Sequence, residues 1–449
     1  MDPLSPLRKL GHVGIGLSLA ACSAGAMYGP HGTVASGALP SVRGTSGSPS
    51  PIKHVVVIIQ ENRSFDNIFA GYPGADAPMV GYGPNRVQIP LQQTTFSSTI
   101  NLEHTLQNGL KDYDNGKMDG FVYANVMHKY PNAAYVYLER ESVAPYWTLA
   151  RQYVLADRMF PTEWGASFTA HLDLIAGTTL LNPTLAEADL PSALPWSCDA
   201  PPGTVTTTWT STKVYDQDGG PFPCFTQFET MADTLDAAHV TWKYYAPAVG
   251  NSGNEEWSSF AAISAVRYGP DWKNVVTPET TVLTDAEAGN LPAVSWVIPD
   301  LKNSDHPGNG SDTGPSWVAS VVNAIGESED WKSTAIVIVW DDWGGFYDNV
   351  RPPQLDFLGL SIRVPCLIVS PYAKKGYVSH TRYEFGSILK FIEQTFGLQS
   401  LGATDVRANS IGDSFEFAST PRRFRPISAP YPTAHFIREK PSLLPPDDE

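Results

Sequence analysis

The sequence lacks several patterns, and each absence removes a class of function. Neither Cys-x-x-Cys nor His-Glu-x-x-His occurs, which excludes zinc fingers and zinc proteases of the usual spacings. Basic residues are scarce: Lys and Arg number 30 against 46 Asp and Glu, a net charge of −16. That balance is a poor match for a phosphate backbone and argues against nucleic acid as a partner. The 37 Gly and 38 Pro follow no period, so collagen and solenoid readings fail and long, turn-rich loops are expected. No apolar run near the N-terminus is long enough to span a bilayer as a helix. What is present is a chain of 449 residues, 42% hydrophobic and 11% aromatic, which supplies material for a large core. Length alone suggests about three domains, yet no composition break divides the chain after Pro51. One domain is therefore expected over residues 52–449.

At the N-terminus Arg8 and Lys9 precede the apolar run Leu10 to Ala21, which is interrupted by Gly11, His12, Gly14 and Gly16. Residues 1–22 read as an export signal. Leu19-Ala20-Ala21-Cys22-Ser23 resembles the segment around the lipidated cysteine of bacterial lipoproteins; the alternative is an ordinary signal cleaved near Ala26, with Cys22 incidental. Either reading exports the protein, to the periplasm, to the outer membrane as a lipoprotein, or to the medium. Residues 23–51, rich in Gly, Ala, Ser and Pro, read as a flexible tether. In an oxidising compartment Cys198 and Cys224 are the natural disulfide pair, closing a loop of about 26 residues worth roughly 3 kcal/mol. Cys366, inside an apolar run, reads as an inert core residue.

Continuous β-branched and apolar runs at His54–Gln60, Ala293–Ile298, Thr334–Trp340 and Val364–Ser370 predict strands buried on both faces. Helix-period segments lie at Met231–His239 after Thr230, Trp317–Ile325 after Ser316, and Tyr383–Phe396 closing at Gly397. This alternation predicts an α/β fold with a mainly parallel central sheet and helices on both faces. Residues 71–99, 182–228 and 248–284 read as long loop excursions.

The first strand runs directly into Gln60-Glu61-Asn62-Arg63-Ser64-Phe65-Asp66, and the strand at 334–340 into Asp341-Asp342-Trp343-Gly344-Gly345. In open α/β sheets that position is the ligand-binding edge. Carboxylates gathered there repel unless a cation neutralises them, so the pattern suits a metal site; turn-forming Asp and Asn are the alternative. Ser167, in Gly165-Ala166-Ser167-Phe168-Thr169, reads by itself as a turn or N-cap serine as readily as a nucleophile. Thr169 stands where the second glycine of a Gly-x-Ser-x-Gly elbow would be, which weakens a His-activated acyl-transfer triad. His104, His171 and His306, each taken singly, read as structural or solvated.

Taken together, the motifs resemble those of the bacterial phosphoesterase family that groups phospholipases C with acid phosphatases. The resemblance rests on His54-Val-Val-Val-Ile-Ile-Gln-Glu-Asn-Arg-Ser-Phe-Asp66, Gly116-Lys-Met-Asp-Gly-Phe121, the segment from Gly165 to Leu172, Asp305-His306-Pro307, Trp340-Asp-Asp-Trp-Gly-Gly-Phe-Tyr-Asp348 and Arg363-Val-Pro-Cys-Leu-Ile-Val-Ser-Pro-Tyr372. It implies an alkaline-phosphatase-like fold and a single divalent metal ion held by Glu61, Asn62, Asp341, Asp342 and the hydroxyl of Ser167, which is also the nucleophile. It further implies that His104, Asp305 and His306 line the phosphate pocket, with His171 behind the ligands. The oxygen-rich donor set favours Mg²⁺, Ca²⁺ or Mn²⁺, while Zn²⁺ also accepts carboxylates. Asn349 and Phe385 stand where some relatives have histidine, so any acid role of those histidines must fall here to another group.

The implied activity is hydrolysis of a phosphate ester or a phospholipid through a phosphoserine. Trp196, Trp209, Trp257 and Trp272 would serve a membrane-facing rim if exposed, and satellite cores if buried. The contrasting expectation, a surface lipoprotein that binds phosphorylated ligands without turnover, has no need of a serine beside a metal-ligand set.

Overall fold

The four apolar runs lie side by side at the centre of one sheet. The computed structural model describes residues 50–124, 132–250, 256–440 and 442, all within one compact unit, Ala38–Glu449. The expected export signal, Cys22 and all of the tether before residue 50 lie outside them. The sheet contains β1 (His54–Gln60), β2 (Val154–Phe160), β3 (Trp242–Tyr245), β4 (Val275–Val276), β5 (Val294–Val297), β6 (Thr334–Trp340), β7 (Val364–Val369), β8 (Tyr377–Ser379) and β9 (Tyr383–Glu384). Their order is β4-β3-β5-β1-β6-β7-β2-β8, with β9 also on β2. Every neighbouring pair is parallel except the two made by β7, which is antiparallel to β6 and β2. No helix spans the connection from β6 to β7, so the chain returns in the opposite direction rather than crossing over. The expectation of a mainly parallel sheet holds.

Helices cover both faces. One group comprises α1 (Ala144–Gln152), α4 (Thr281–Glu287) and α5 (Gly314–Glu327); the other comprises α2 (Ser167–Ala176), α3 (Met231–Ala237) and α6 (Phe385–Phe396), with contacts within each group. All seven residues of β6 are buried, as cover on both faces requires. Thr230 and Asp233 form a capping box at the start of α3. The starts of two helices differ from the sequence reading. Helix α5 starts at Gly314 because Pro315 occupies its first turn, where its missing N–H costs nothing. Tyr383 and Glu384 pair with β2 before α6 begins.

The excursions are partly structured. Residues 180–216 contribute a four-stranded antiparallel sheet, and the 71–99 segment holds the hairpin pairing Val80–Gly83 with Val87–Pro90. Cys198 and Cys224 form the expected disulfide. Cys366 is buried, and burial raises its thiol pKa, as an inert core residue requires. Among the described residues no helix is long and apolar enough to cross a membrane.

Candidate active site

Register builds the site. Strands β1 and β6 pair in parallel over their full length, from His54 opposite Thr334 to Gln60 opposite Trp340. They therefore end at the same level, and Glu61 and Asp341 emerge together at one edge. The Asp341 amide donates to the Gln60 carbonyl at 3.0 Å, and the Asn62 amide donates to Asp341 Oδ1 at 3.0 Å. Asn62 adopts a left-handed conformation (φ 55°), which asparagine tolerates better than most residues and which turns the chain sharply. Gly344 (φ 60°) lets the second loop close over the first: a side chain there would collide with the Asn62 carbonyl.

The third contributor is α2, whose first residue is Ser167 and whose fifth is His171. Ser167 Oγ lies 3.2 Å from Asn62 Nδ2 and donates to Asp342 Oδ2 at 3.4 Å. His171 Nε2 is 2.9 Å from Glu61 Oε1. Glu61, His171 and Asp341 each place a ligand atom within 4.8 Å of the others, the one such group of three among the described residues. His171, expected behind the ligands, thus stands in ligand range itself. Its spacing from Ser167, one helical turn along α2, puts both on the same face.

All five proposed ligand residues are fully buried. Among the described residues, Glu61 Oε2, Asn62 Oδ1 and Asp341 Oδ2 have no hydrogen-bond donor, and buried oxygen atoms without partners are costly. Burial, and then the charges of Asp341, Asp342 and Glu256, hold the Glu61 carboxyl well above its usual range. Burial pushes His171 down to about 4, so its imidazole is neutral. Three orphan oxygens, neighbouring carboxylates and a neutral imidazole fit a divalent cation.

His104 joins this cluster. Its Nδ1 is 2.8 Å from the Leu102 carbonyl, which fixes that nitrogen as the donor. Nε2 is then the acceptor; it meets Asn62 Nδ2 and lies 3.7 Å from Asp342 Oδ2. His306 is held by Nδ1 against the Pro307 carbonyl, with its ring 6.2 Å from that of His104. Asp305 is placed differently from expectation. One carboxylate oxygen accepts from the Tyr146 hydroxyl at 2.6 Å, and its backbone carbonyl accepts from Arg63 Nε at 2.9 Å. Burial pushes Asp305 up to about 6. Its bonds anchor the His306 loop to α1 and to the Glu61 loop.

Trp257, from the third excursion and expected as rim or satellite core, lies beside the site residues instead. Its ring stacks on His171 at 6.3 Å and lies 6.0 Å from the His306 ring. Trp257 belongs to the main core and Trp272 packs against it, Trp209 lies in a second cluster and Trp196 is buried, so these four tryptophans form no apolar rim. Asn349 bonds Arg363 and Asp76, and Phe385 is fully buried in the core. Both are structural.

These features define a class of α/β protein in which parallel strand ends gather a buried, oxygen-rich cation cradle beside a helix-terminal hydroxyl. The chain belongs to the Phosphoesterase family, whose model matches residues 52–399. It is 26% identical to the non-hemolytic phospholipase C of Pseudomonas aeruginosa over 86% of this chain and 59% of that protein. It is 25% identical to phospholipase C A of Mycobacterium tuberculosis over 89% of this chain and 84% of that one. The match thus spans less than two thirds of the Pseudomonas relative. Among solved structures it is similar to a protein in the alkaline phosphatase superfamily from Vibrio parahaemolyticus (11% identity, 84% of this chain and 74% of that chain, TM-score 0.39).

Proposed function

We propose that the protein is an exported, metal-dependent hydrolase of phosphoric esters in which Ser167 is the nucleophile. The observation that carries this reading is the meeting of Ser167 Oγ with a cradle whose buried oxygens Glu61 Oε2, Asn62 Oδ1 and Asp341 Oδ2 lack donors. Glu61, Asn62, Asp341, Asp342 and Ser167 would hold the ion, with His171 as a further donor. A divalent cation bound there would lower the pKa of the Ser167 hydroxyl and offset the charge of the incoming phosphoryl group.

Ser167 Oγ attacks phosphorus in line, the bond from phosphorus to the leaving oxygen breaks, and a phosphoserine forms. The serine proton has Asp342 Oδ2 as its nearest carboxylate acceptor, 3.4 Å away. The N-terminus of α2, which begins at Ser167, would offer backbone amides to the phosphoryl oxygens of the intermediate. His104 and His306, each with Nδ1 held by a backbone carbonyl, would steady the phosphoryl group by donating from Nε2 as imidazolium. Water then attacks phosphorus, the bond to Ser167 breaks, and phosphate or a phosphorylated head group leaves. The relatives' printed names support a phospholipase C activity; the absence of an aromatic rim among the four tryptophans supports a soluble monoester equally.

The test is an assay of an aryl phosphate and a choline phospholipid with and without chelator, on wild type and Ser167→Ala. Chelator-sensitive turnover of at least one substrate, lost in the variant, is expected. Turnover of neither by the metal-loaded wild type removes the proposal.

A further inference from the structure

A polar cavity of about 360 Å³ has no part in the mechanism above. Ala166, the residue before Ser167, and Thr105, the residue after His104, line it. Asp189 lines it as well. This residue is 5% exposed and takes a left-handed backbone conformation, φ 53°. Its Oδ1 accepts from the Leu106 amide at 2.7 Å and from the Ala166 amide at 3.1 Å, while Oδ2 accepts from the Tyr215 hydroxyl at 2.8 Å. One buried carboxylate therefore ties together the His104 segment, the start of α2 and the small antiparallel sheet.

Ser192, Thr207, Gln217 and Asp218 are also in its lining. Two carboxylates face the space, and no Lys, Arg or His is among the residues that line it. Such a lining disfavours a second anionic group on the substrate. A quaternary ammonium group prefers several aromatic faces, and Tyr215 offers one ring. A polyol suits the wall better: its hydroxyls donate to carboxylate and carboxamide oxygens and accept from hydroxyl and amide groups.

We propose that this cavity holds the organic portion of the ester and selects an uncharged polyol, a glycerol or sugar phosphate. The proposal rests on the phosphoesterase reading of Ser167. Gln217 and Asp218 are exposed, so replacing them does not disturb the core.

The full chain, wild type and as Gln217→Ala and Asp218→Ala, would be assayed on an aryl phosphate, phosphocholine, glycerol phosphate and a hexose phosphate. Loss of one hydrogen bond of about 1 kcal/mol corresponds to about fivefold in affinity. KM for the polyol esters is expected to rise by about that factor relative to the aryl ester, with kcat little altered. An equal change on all four esters, or the largest change on phosphocholine, overturns the subsite. Wild-type turnover of aryl phosphate without turnover of either polyol ester also overturns it. No turnover of any ester instead removes the phosphoesterase reading.

Discussion

Arg363 offers a way to perturb the two loops proposed to hold the metal without touching their ligand residues. Its guanidinium is fully buried and reaches both halves of the site. Nε bonds both carboxylate oxygens of Asp348 at 3.0 and 3.1 Å; one terminal nitrogen reaches Asp66 Oδ1 at 3.1 Å and the Asp76 carbonyl at 2.9 Å; the other donates to the Asp157 carbonyl at 2.8 Å. Asp66 lies shortly after Glu61 and Asn62, and Asp348 shortly after Asp341 and Asp342. The arginine therefore clamps the two ligand-bearing loops. Arg363→Met leaves two buried carboxylates facing each other, a change that costs about 3–5 kcal/mol. For a chain of this size that corresponds to a melting temperature lower by about 3–6 °C. Burial already raises both carboxyls above their ordinary value of 3.8, and loss of the arginine raises them further. The folded state then binds more protons than the unfolded chain, so stability falls as pH rises above about 4. The deficit is expected to be larger at pH 8 than at pH 5. Arg363→Lys, which keeps the charge but has fewer donors, should fall between. Thermal unfolding at both pH values, with metal content measured alongside, tests this. A methionine variant that melts within about 1 °C of wild type and keeps its metal would refute the clamp.

Ser167→Ala should abolish turnover while metal content and melting temperature stay close to wild type, because a small polar residue contributes little to stability; retained turnover would remove Ser167 from the mechanism. His171→Ala should weaken metal binding by about 10–100-fold, as measured by titration of the apoprotein. Unaltered affinity would return His171 to a purely structural role. Gly344→Ala should lose both activity and stability, since the added methyl meets the Asn62 carbonyl; a fully active variant would show that the loops need not approach so closely. Reduction of the Cys198–Cys224 bond should lower stability by about 3 kcal/mol with activity still detectable in the folded fraction, as read by denaturant unfolding.

The central sheet was legible because β1, β5, β6 and β7 are continuous runs of β-branched residues, the mark of strands covered on both faces. Strand β2 was not, because Asp157 and Arg158 interrupt its pattern. Asp157 is buried there because its carboxylate accepts from the Asp76 amide and bonds His380, partners contributed by distant segments. The two loops proposed to hold a metal stand out by position, two strands ending in acidic residues. Ser167 was ambiguous in isolation; proximity to Asn62 and Asp342 is a tertiary fact. His171 had a usable signal, four residues after Ser167 on one helix face. Trp257 and Asp189 had none, since each reaches the site from an excursion whose local composition reads as loop.

The cradle itself is tested most directly by elemental analysis and ester turnover on the same purified preparations of wild type, Asp341→Asn and Asp342→Asn. The account predicts stoichiometric divalent metal and turnover in wild type, and loss of both in each variant. Stoichiometric metal retained in both variants, or undiminished wild-type turnover after exhaustive chelation, would contradict it.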